Sequence, residues 1–164
     1  DYFPTYISKY PPRLREKLGI IAADNYINRR SFSRALRTLD TLSLTGLQPQ
    51  TMPYINFLLG KIASENGNVA GAKEMWEPLT QADANRFVRA TAQFALTTML
   101  YNKGEIERKE ALQRLDRLRV VWRGDALEMA LLKYLGQLYL DDKNYLESLR
   151  VRQDLVQNFS NTEL

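Results

Sequence analysis

The sequence predicts an all-α fold of eight helices, arranged as four helix-turn-helix pairs. Apolar residues recur three and four positions apart along most of the chain, which is the spacing of one helix face. Short turns rich in Gly, Asn and Pro separate these periodic segments, and no segment alternates apolar and polar residues as a half-buried strand does. With 164 residues, of which 45% are hydrophobic, the chain is long enough to bury a core.

The first four predicted helices begin at residues that favour a helix start. Pro12 suits the first turn of the first helix, and Ser31 suits the N-cap of the second. Pro53 opens the third helix, and the turn 66–68 precedes the fourth, whose end Pro78 is expected to fray or kink. The inward stripe predicted for the first helix is Leu14, Leu18, Ile21, Ala22 and Tyr26.

The last four predicted helices follow the same logic. The fifth spans 84–102 and the sixth spans 107–121. Asp125 and Glu128 have the spacing of a capping box before the seventh helix, and Asn144 begins the eighth in the same style.

Small residues recur at a constant interval in these pairs. In the second helices the intervals are 37, 39 and 37 residues for Ala35, Ala72, Ala111 and Ser148. In the first helices they are 37, 37 and 39 residues for Ala23, Gly60, Thr97 and Gly136. Two markers with one period predict an internal repeat whose units are 12–47, 51–82, 84–121 and 125–160, preceded by an extended segment, 1–11.

The last unit resembles the tetratricopeptide repeat (TPR) family, in a divergent form with lengthened units. The matching positions there are Leu132, Leu135, Gly136, Tyr139, Tyr145, Ser148 and Leu155. The second unit matches through Leu59, Gly60, Gly67, Ala72 and Trp76. The resemblance implies a right-handed α-solenoid whose concave groove, lined by the first helix of each pair, binds a peptide or partner helix.

The register of the resemblance assigns the lining of that groove. The expected lining is Lys17, Asp24, Tyr54, Phe57, Lys61, Thr91, Phe94, Thr98, Tyr101, Lys133 and Gln137. Aromatic residues beside polar ones are typical of protein-binding surfaces, and the cations among them favour a peptide with acidic and apolar residues. The sequence therefore favours a non-catalytic protein-interaction module.

The composition argues against an enzyme. Without Cys and His, the chain lacks thiol nucleophiles, zinc-thiolate sites and the usual general base. The carboxylate pairs Asp141 with Asp142 and Glu105 with Glu107 fall at turns, where water keeps carboxylates ionised. We expect no catalytic residues, no metal and no cofactor.

A structural role through the eighth helix is the first alternative. Its apolar residues exceed what one neighbouring helix can cover. An assembly domain would self-associate or stack through Leu146, Leu149, Val156 and Phe159.

A second alternative uses the basic N-terminal third. Residues 1–40 hold eight Lys and Arg and four Asp and Glu, which accounts for a charge of +4. An adaptor to nucleic acid or an anionic membrane surface would use Lys9, Arg13, Arg15, Lys17, Arg29, Arg30, Arg34 and Arg37. Mixed-charge helix surfaces explain such residues more simply, so we do not expect nucleic acid as a partner. The longest apolar run, Leu18 to Ala23, is far shorter than the ~20 residues of a membrane span.

The chain begins at Asp1 without a leader sequence, so we expect it to be a fragment of a longer protein. The stretch 122–125 is similar to segments of long bacterial repeat proteins. No compartment is predicted, because the bacterial cytoplasm and periplasm are equally compatible with a chain that lacks Cys.

Overall fold

The computed structural model describes residues 10–44, 46–81 and 85–159, which form eight α-helices and no strand. The predicted all-α class and the predicted number of helices are confirmed for this part of the chain. The helices are α1 (Pro12–Asn28), α2 (Phe32–Leu44), α3 (Met52–Glu65), α4 (Val69–Gln81), α5 (Arg86–Asn102), α6 (Arg108–Val121), α7 (Ala126–Asp141) and α8 (Tyr145–Phe159). Residues 1–9 of the predicted extended segment, and the predicted unit ends at 82, 84 and 160, lie outside the described residues.

The helices group into two compact units, Asp1–Ala92 and Gln93–Leu164, with the boundary inside α5. In the first unit α1 packs against α2, and α3 packs against α4. There α3 also contacts α1 and α2. In the second unit α7 packs against both α6 and α8.

An apolar cluster in the first unit joins α1, α2 and α3. Its buried members are Ala23, Ile27, Ala35, Leu39, Ile55, Leu58 and Ile62. Ala23 and Ala35, two of the small repeat markers, are completely buried, as are Ala72 and Ala111 in later helices. These markers therefore lie where close packing leaves room for no more than a methyl group.

Glycines allow two of the closest approaches between helices. A Cβ on Gly60 would lie 2.2 Å from Nε1 of Trp76, whose indole N–H donates to the Phe57 carbonyl at 3.0 Å. A Cβ on Gly19 would lie 2.6 Å from the Leu42 side chain. In both cases a side chain of the neighbouring helix occupies the space that a Cβ on the glycine would need.

The buried face of α1 differs from the predicted one. Leu14 and Ile21 are 43% and 58% exposed, whereas Gly19 and Glu16 are buried. The prediction was wrong at these positions because hydropathy ranks leucine and isoleucine above glycine, whereas this helix crossing selects the smaller residue.

Pro78 does not end its helix. The α4 helix continues to Gln81, with Trp76 and Leu79 buried on either side of the proline. Packing of these two residues offsets the one backbone hydrogen bond that a proline removes, so the helix does not stop at Pro78.

A buried carboxylate fixes the loop between α2 and α3. Glu16 accepts hydrogen bonds from the Gln48 backbone N–H, at 3.2 Å, and from the Thr51 hydroxyl. A buried carboxylate needs such donors, so the loop and α1 stabilise each other.

A second buried carboxylate fixes the start of α7. The Asp125 side chain accepts from the backbone N–H groups of Leu127 and Glu128, which confirms it as the N-cap. The Glu128 carboxylate is 1% exposed and accepts from the backbone N–H of Gly124, from Arg123 at 3.0 Å and from Asn158 at 3.1 Å. It therefore joins the loop before α7 to the end of α8.

Candidate functional site

An aromatic pair lies on the first unit, between α3 and α5. The Tyr54 ring of α3 and the Phe87 ring of α5 are stacked, with centroids 6.5 Å apart. Phe87 is 41% exposed, and Tyr54 is half-buried. An aromatic pair that is held by stacking and still reaches solvent can accept an apolar ligand group without first being ordered.

Phe57, another predicted lining residue, is directed towards the interior. Its ring stacks on Trp76 with centroids 6.0 Å apart, and it packs against the core cluster of the first unit. Because Trp76 also donates to the Phe57 carbonyl, the pair is held by two contacts. Phe57 therefore belongs mainly to the packed interior of the first unit, and it offers less contact area to a ligand than the prediction of a lining residue implies.

Two predicted charged residues of the first unit neutralise each other. Lys61 Nζ lies 2.6 Å from Asp24 Oδ1, and it also donates to Asn28 Oδ1 at 3.2 Å. Asp24 belongs to α1 and Lys61 to α3. The pair links α1 to α3, and Lys17 of α1 is exposed.

The hydroxyl groups of Thr91 and Thr98 already donate hydrogen bonds within α5. Thr91 Oγ1 donates to the Phe87 carbonyl at 2.8 Å, and Thr98 Oγ1 donates to the Phe94 carbonyl at 3.0 Å. Their hydroxyl protons are used within α5, so they present oxygen acceptors and methyl groups.

A second aromatic pair lies in the second unit. The Phe94 ring of α5 meets the Tyr134 ring of α7 edge to face, with centroids 6.1 Å apart. The Tyr134 hydroxyl donates to Asn102 Oδ1 at 2.8 Å. Burial, and secondarily the neighbouring Tyr101, raise the pKa of Tyr134, so this phenol stays protonated and neutral near pH 7.

Arg108, at the start of α6, connects Tyr101 of α5 to the end of α7. Its Nε donates to the Tyr101 hydroxyl at 3.2 Å, and its Nη1 donates to the Asp141 carbonyl at 3.2 Å. Nη1 also lies 3.4 Å from Asp142 Oδ1. The hydrogen bond with Tyr101 is the main cause that raises the pKa of the guanidinium.

The remaining predicted lining residues of the second unit are exposed. Gln137 donates to Asp141 Oδ1 at 2.8 Å and accepts from Arg152 at 3.4 Å. Lys133 is exposed on the same helix. Together with the Phe94–Tyr134 pair, these residues form a mixed aromatic and polar surface on α5 and α7.

Sequence reasoning missed Phe87, Tyr134 and Arg108. A signal for Phe87 was present, because Phe87, Thr91, Phe94, Thr98 and Tyr101 follow one another at intervals of four and three residues. No comparable signal marked Arg108, whose contacts depend on where α6 begins relative to α7.

The residues proposed for self-association differ in exposure. Leu146, Leu149 and Val156 are 61%, 60% and 53% exposed, whereas Phe159 is half-buried. The opposite face of α8 is buried through Ser148, Val151 and Leu155.

The basic residues of the N-terminal third lie mainly on the surface. Arg13, Arg29, Arg30, Arg34 and Arg37 are exposed, and Arg15 is half-buried. Arg30 lies 3.5 Å from Glu65 in an exposed ion pair. Lys9 lies outside the described residues.

Two further properties bear on the class of function. None of the helices in the described ranges combines the length and the apolar character that crossing a bilayer requires. Across residues 10–44, 46–81 and 85–159, no three acidic side chains converge in an arrangement suited to a metal ion.

Comparison with protein-family models, curated proteins and solved structures gives no significant match.

Proposed function

We propose that this chain is a non-catalytic protein-interaction module of TPR-like helix pairs. Its ligand is a peptide or partner helix with apolar and acidic residues, and the binding surface belongs to the first helices of the pairs. The Tyr54–Phe87 stack is the observation that carries this proposal, because it places a held aromatic pair at the surface.

The contacts between successive first helices support a solenoid arrangement within each unit. In the first unit, Asp24 of α1 contacts Lys61 of α3, and Tyr54 of α3 contacts Phe87 of α5. In the second unit, Phe94 of α5 contacts Tyr134 of α7. Stacked helix pairs of a repeat protein make such neighbour contacts and align their first helices on one surface.

The physical basis of binding is the small loss of conformational freedom. Aromatic residues dominate the binding energy of many interfaces, because they bury a large area and have few rotatable bonds. Stacking already restricts Tyr54 and Phe87, so most of the ordering cost falls on the peptide. Lys17 and Lys133, which are exposed, supply cations for acidic ligand residues in the first and second units respectively.

Selection from a random peptide library, followed by affinity measurement, tests the proposal. Peptides enriched on the wild-type chain should carry apolar and acidic residues, and their binding can be followed by fluorescence anisotropy. Phe87→Ala should weaken binding by about tenfold or more, as expected for an aromatic hot spot. Tyr54→Ala should behave similarly.

Val120→Ala is the matched control, because Val120 is an apolar residue of α6 that is 74% exposed. It should leave the affinity unchanged. If no peptide is enriched, or if Phe87→Ala and Val120→Ala bind it equally well, the proposed surface is wrong.

A further inference from the structure

The outward face of α8 carries a row of exposed, mainly apolar side chains, called the seam below. Leu146, Leu149, Gln153 and Val156 follow one another at intervals of three, four and three residues. This is the spacing of the a and d positions of a helix that packs against another helix along its length. Leu146 and Leu149 are 61% and 60% exposed.

The same helix already uses its opposite face. Ser148, Val151 and Leu155 are buried, and α8 packs against α7. The outward seam is therefore separate from the face that packs on α7. A row of exposed leucine and valine side chains is typical of an interaction surface.

A shallow depression in this seam is apolar. Leu149 and Val156 line it, together with the aliphatic parts of Arg152, Gln153 and Gln157. A polar residue at one a position of an apolar seam selects the register of the partner, because its amide needs a matching polar group.

Cations flank the seam. The positions that would contact the sides of a partner helix, e and g in heptad terms, are Tyr145, Arg150, Arg152 and Gln157. Arg150 pairs with Glu147 of the same helix. Arg152 donates to Gln137 at 3.4 Å, and no carboxylate of the described chain lies within ion-pair distance of it.

We propose that this face docks an amphipathic helix of a separate protein, with apolar residues along its seam and carboxylates on both flanks. Glu or Asp at the flanking positions of that helix would meet Arg150 and Arg152 in either orientation of the two helices. A polar side chain facing Gln153 would fix the register. This surface is distinct from the aromatic surface of the first helices.

A second copy of this chain fits the surface less well. Its own flanking positions are the same four residues, so it brings no carboxylate to Arg150 or Arg152. In an antiparallel pair centred on the seam, each arginine would face the arginines of the other copy. Charge complementarity therefore favours an acidic partner helix over self-association.

Two designed helical peptides test the proposal on the full chain. Both carry leucine along the seam and one asparagine at its centre, and they differ only in having Glu or Lys at every flanking position. Fluorescence anisotropy should show that the Glu peptide binds at least tenfold more tightly than the Lys peptide. The double variant Arg150→Glu/Arg152→Glu should reverse this preference.

Leu149→Asp should abolish binding of the Glu peptide, and Val120→Asp, at an exposed apolar position on α6, should not. Both positions are exposed, so circular dichroism should show unchanged helix content. Phe87→Ala should leave this binding intact, which separates the proposal from the function assigned to the first helices. Equal binding of both peptides, or none, would overturn it, as would a concentration-dependent dimer in sedimentation equilibrium that Leu149→Asp abolishes.

Discussion

Replacing Gly60 by alanine should destabilise the protein, although alanine is the better helix former. In an open helix the change would stabilise by about 1 kcal/mol. Here the new Cβ would lie 2.2 Å from Nε1 and 2.6 Å from Cδ1 of Trp76. Real Cβ atoms do not approach other atoms so closely, so the indole has to move.

The indole is not free to move without loss. Its N–H donates to the Phe57 carbonyl, and its ring stacks on the Phe57 ring. Overpacking in a well-packed site costs about 1–3 kcal/mol, and a lost hydrogen bond costs about 0.5–1.5 kcal/mol. After the gain in helix propensity, we expect the free energy of unfolding to fall by about 1–3 kcal/mol.

Urea unfolding, followed by circular dichroism and tryptophan fluorescence, measures this change. Gly71→Ala is the matched control, because the atoms nearest to a Cβ there belong to the exposed side chain of Asn68, which can rotate away at the cost of its hydrogen bond from the Gly71 N–H. Its effect should stay within about 1 kcal/mol of zero. If Gly60→Ala instead raised stability by the full helix-propensity gain, the close approach of α3 and α4 would be refuted.

Three other predictions concern polar groups. Glu128→Ala should lower the free energy of unfolding by about 2–4 kcal/mol in urea titrations, because the groups that donate to this buried carboxylate lose their acceptor. A loss below about 1 kcal/mol would contradict this. A double-mutant cycle on Asp24 and Lys61 should give a coupling of about 1 kcal/mol or less that 1 M salt removes, and a larger, salt-resistant coupling would count against a surface ion pair. Burial, and then the hydrogen bond to Asp116, raise the pKa of Tyr139, so the folded state keeps a proton that the unfolded chain releases near pH 10. Stability should therefore fall as the pH rises above about 10, more steeply in the wild type than in Tyr139→Phe, and equal slopes would refute the assignment.

The sequence was most informative about where helices begin and end. Pro12 begins α1, and Asp125 caps α7, because these residues act through local backbone geometry that a sequence reveals directly. The faces of the helices were harder to predict. Gly19 is buried and Ile21 is exposed because the shape of the opposing helix, which no local pattern records, decides what α1 buries.

The candidate site was predictable in its residue types and less so in its contacts. Tyr54 and Phe94 were chosen by register, and each is found in an aromatic pair. Lys61 was expected to contact a ligand, whereas its ammonium group contacts Asp24. Pairing between side chains of two neighbouring helices depends on how far one helix is shifted along the other, and a one-residue shift changes which side chains meet.

Nuclear magnetic resonance mapping of a selected peptide tests the central claim most directly. Backbone amide shifts of the labelled chain would be followed during titration with a peptide enriched from the library. We predict that the largest shifts cluster on α3 and α5 around Tyr54 and Phe87, and that Phe87→Ala removes them. Shifts confined to the second helices α2, α4 and α6, with the α3 and α5 signals unmoved, would contradict a binding surface on the first helices.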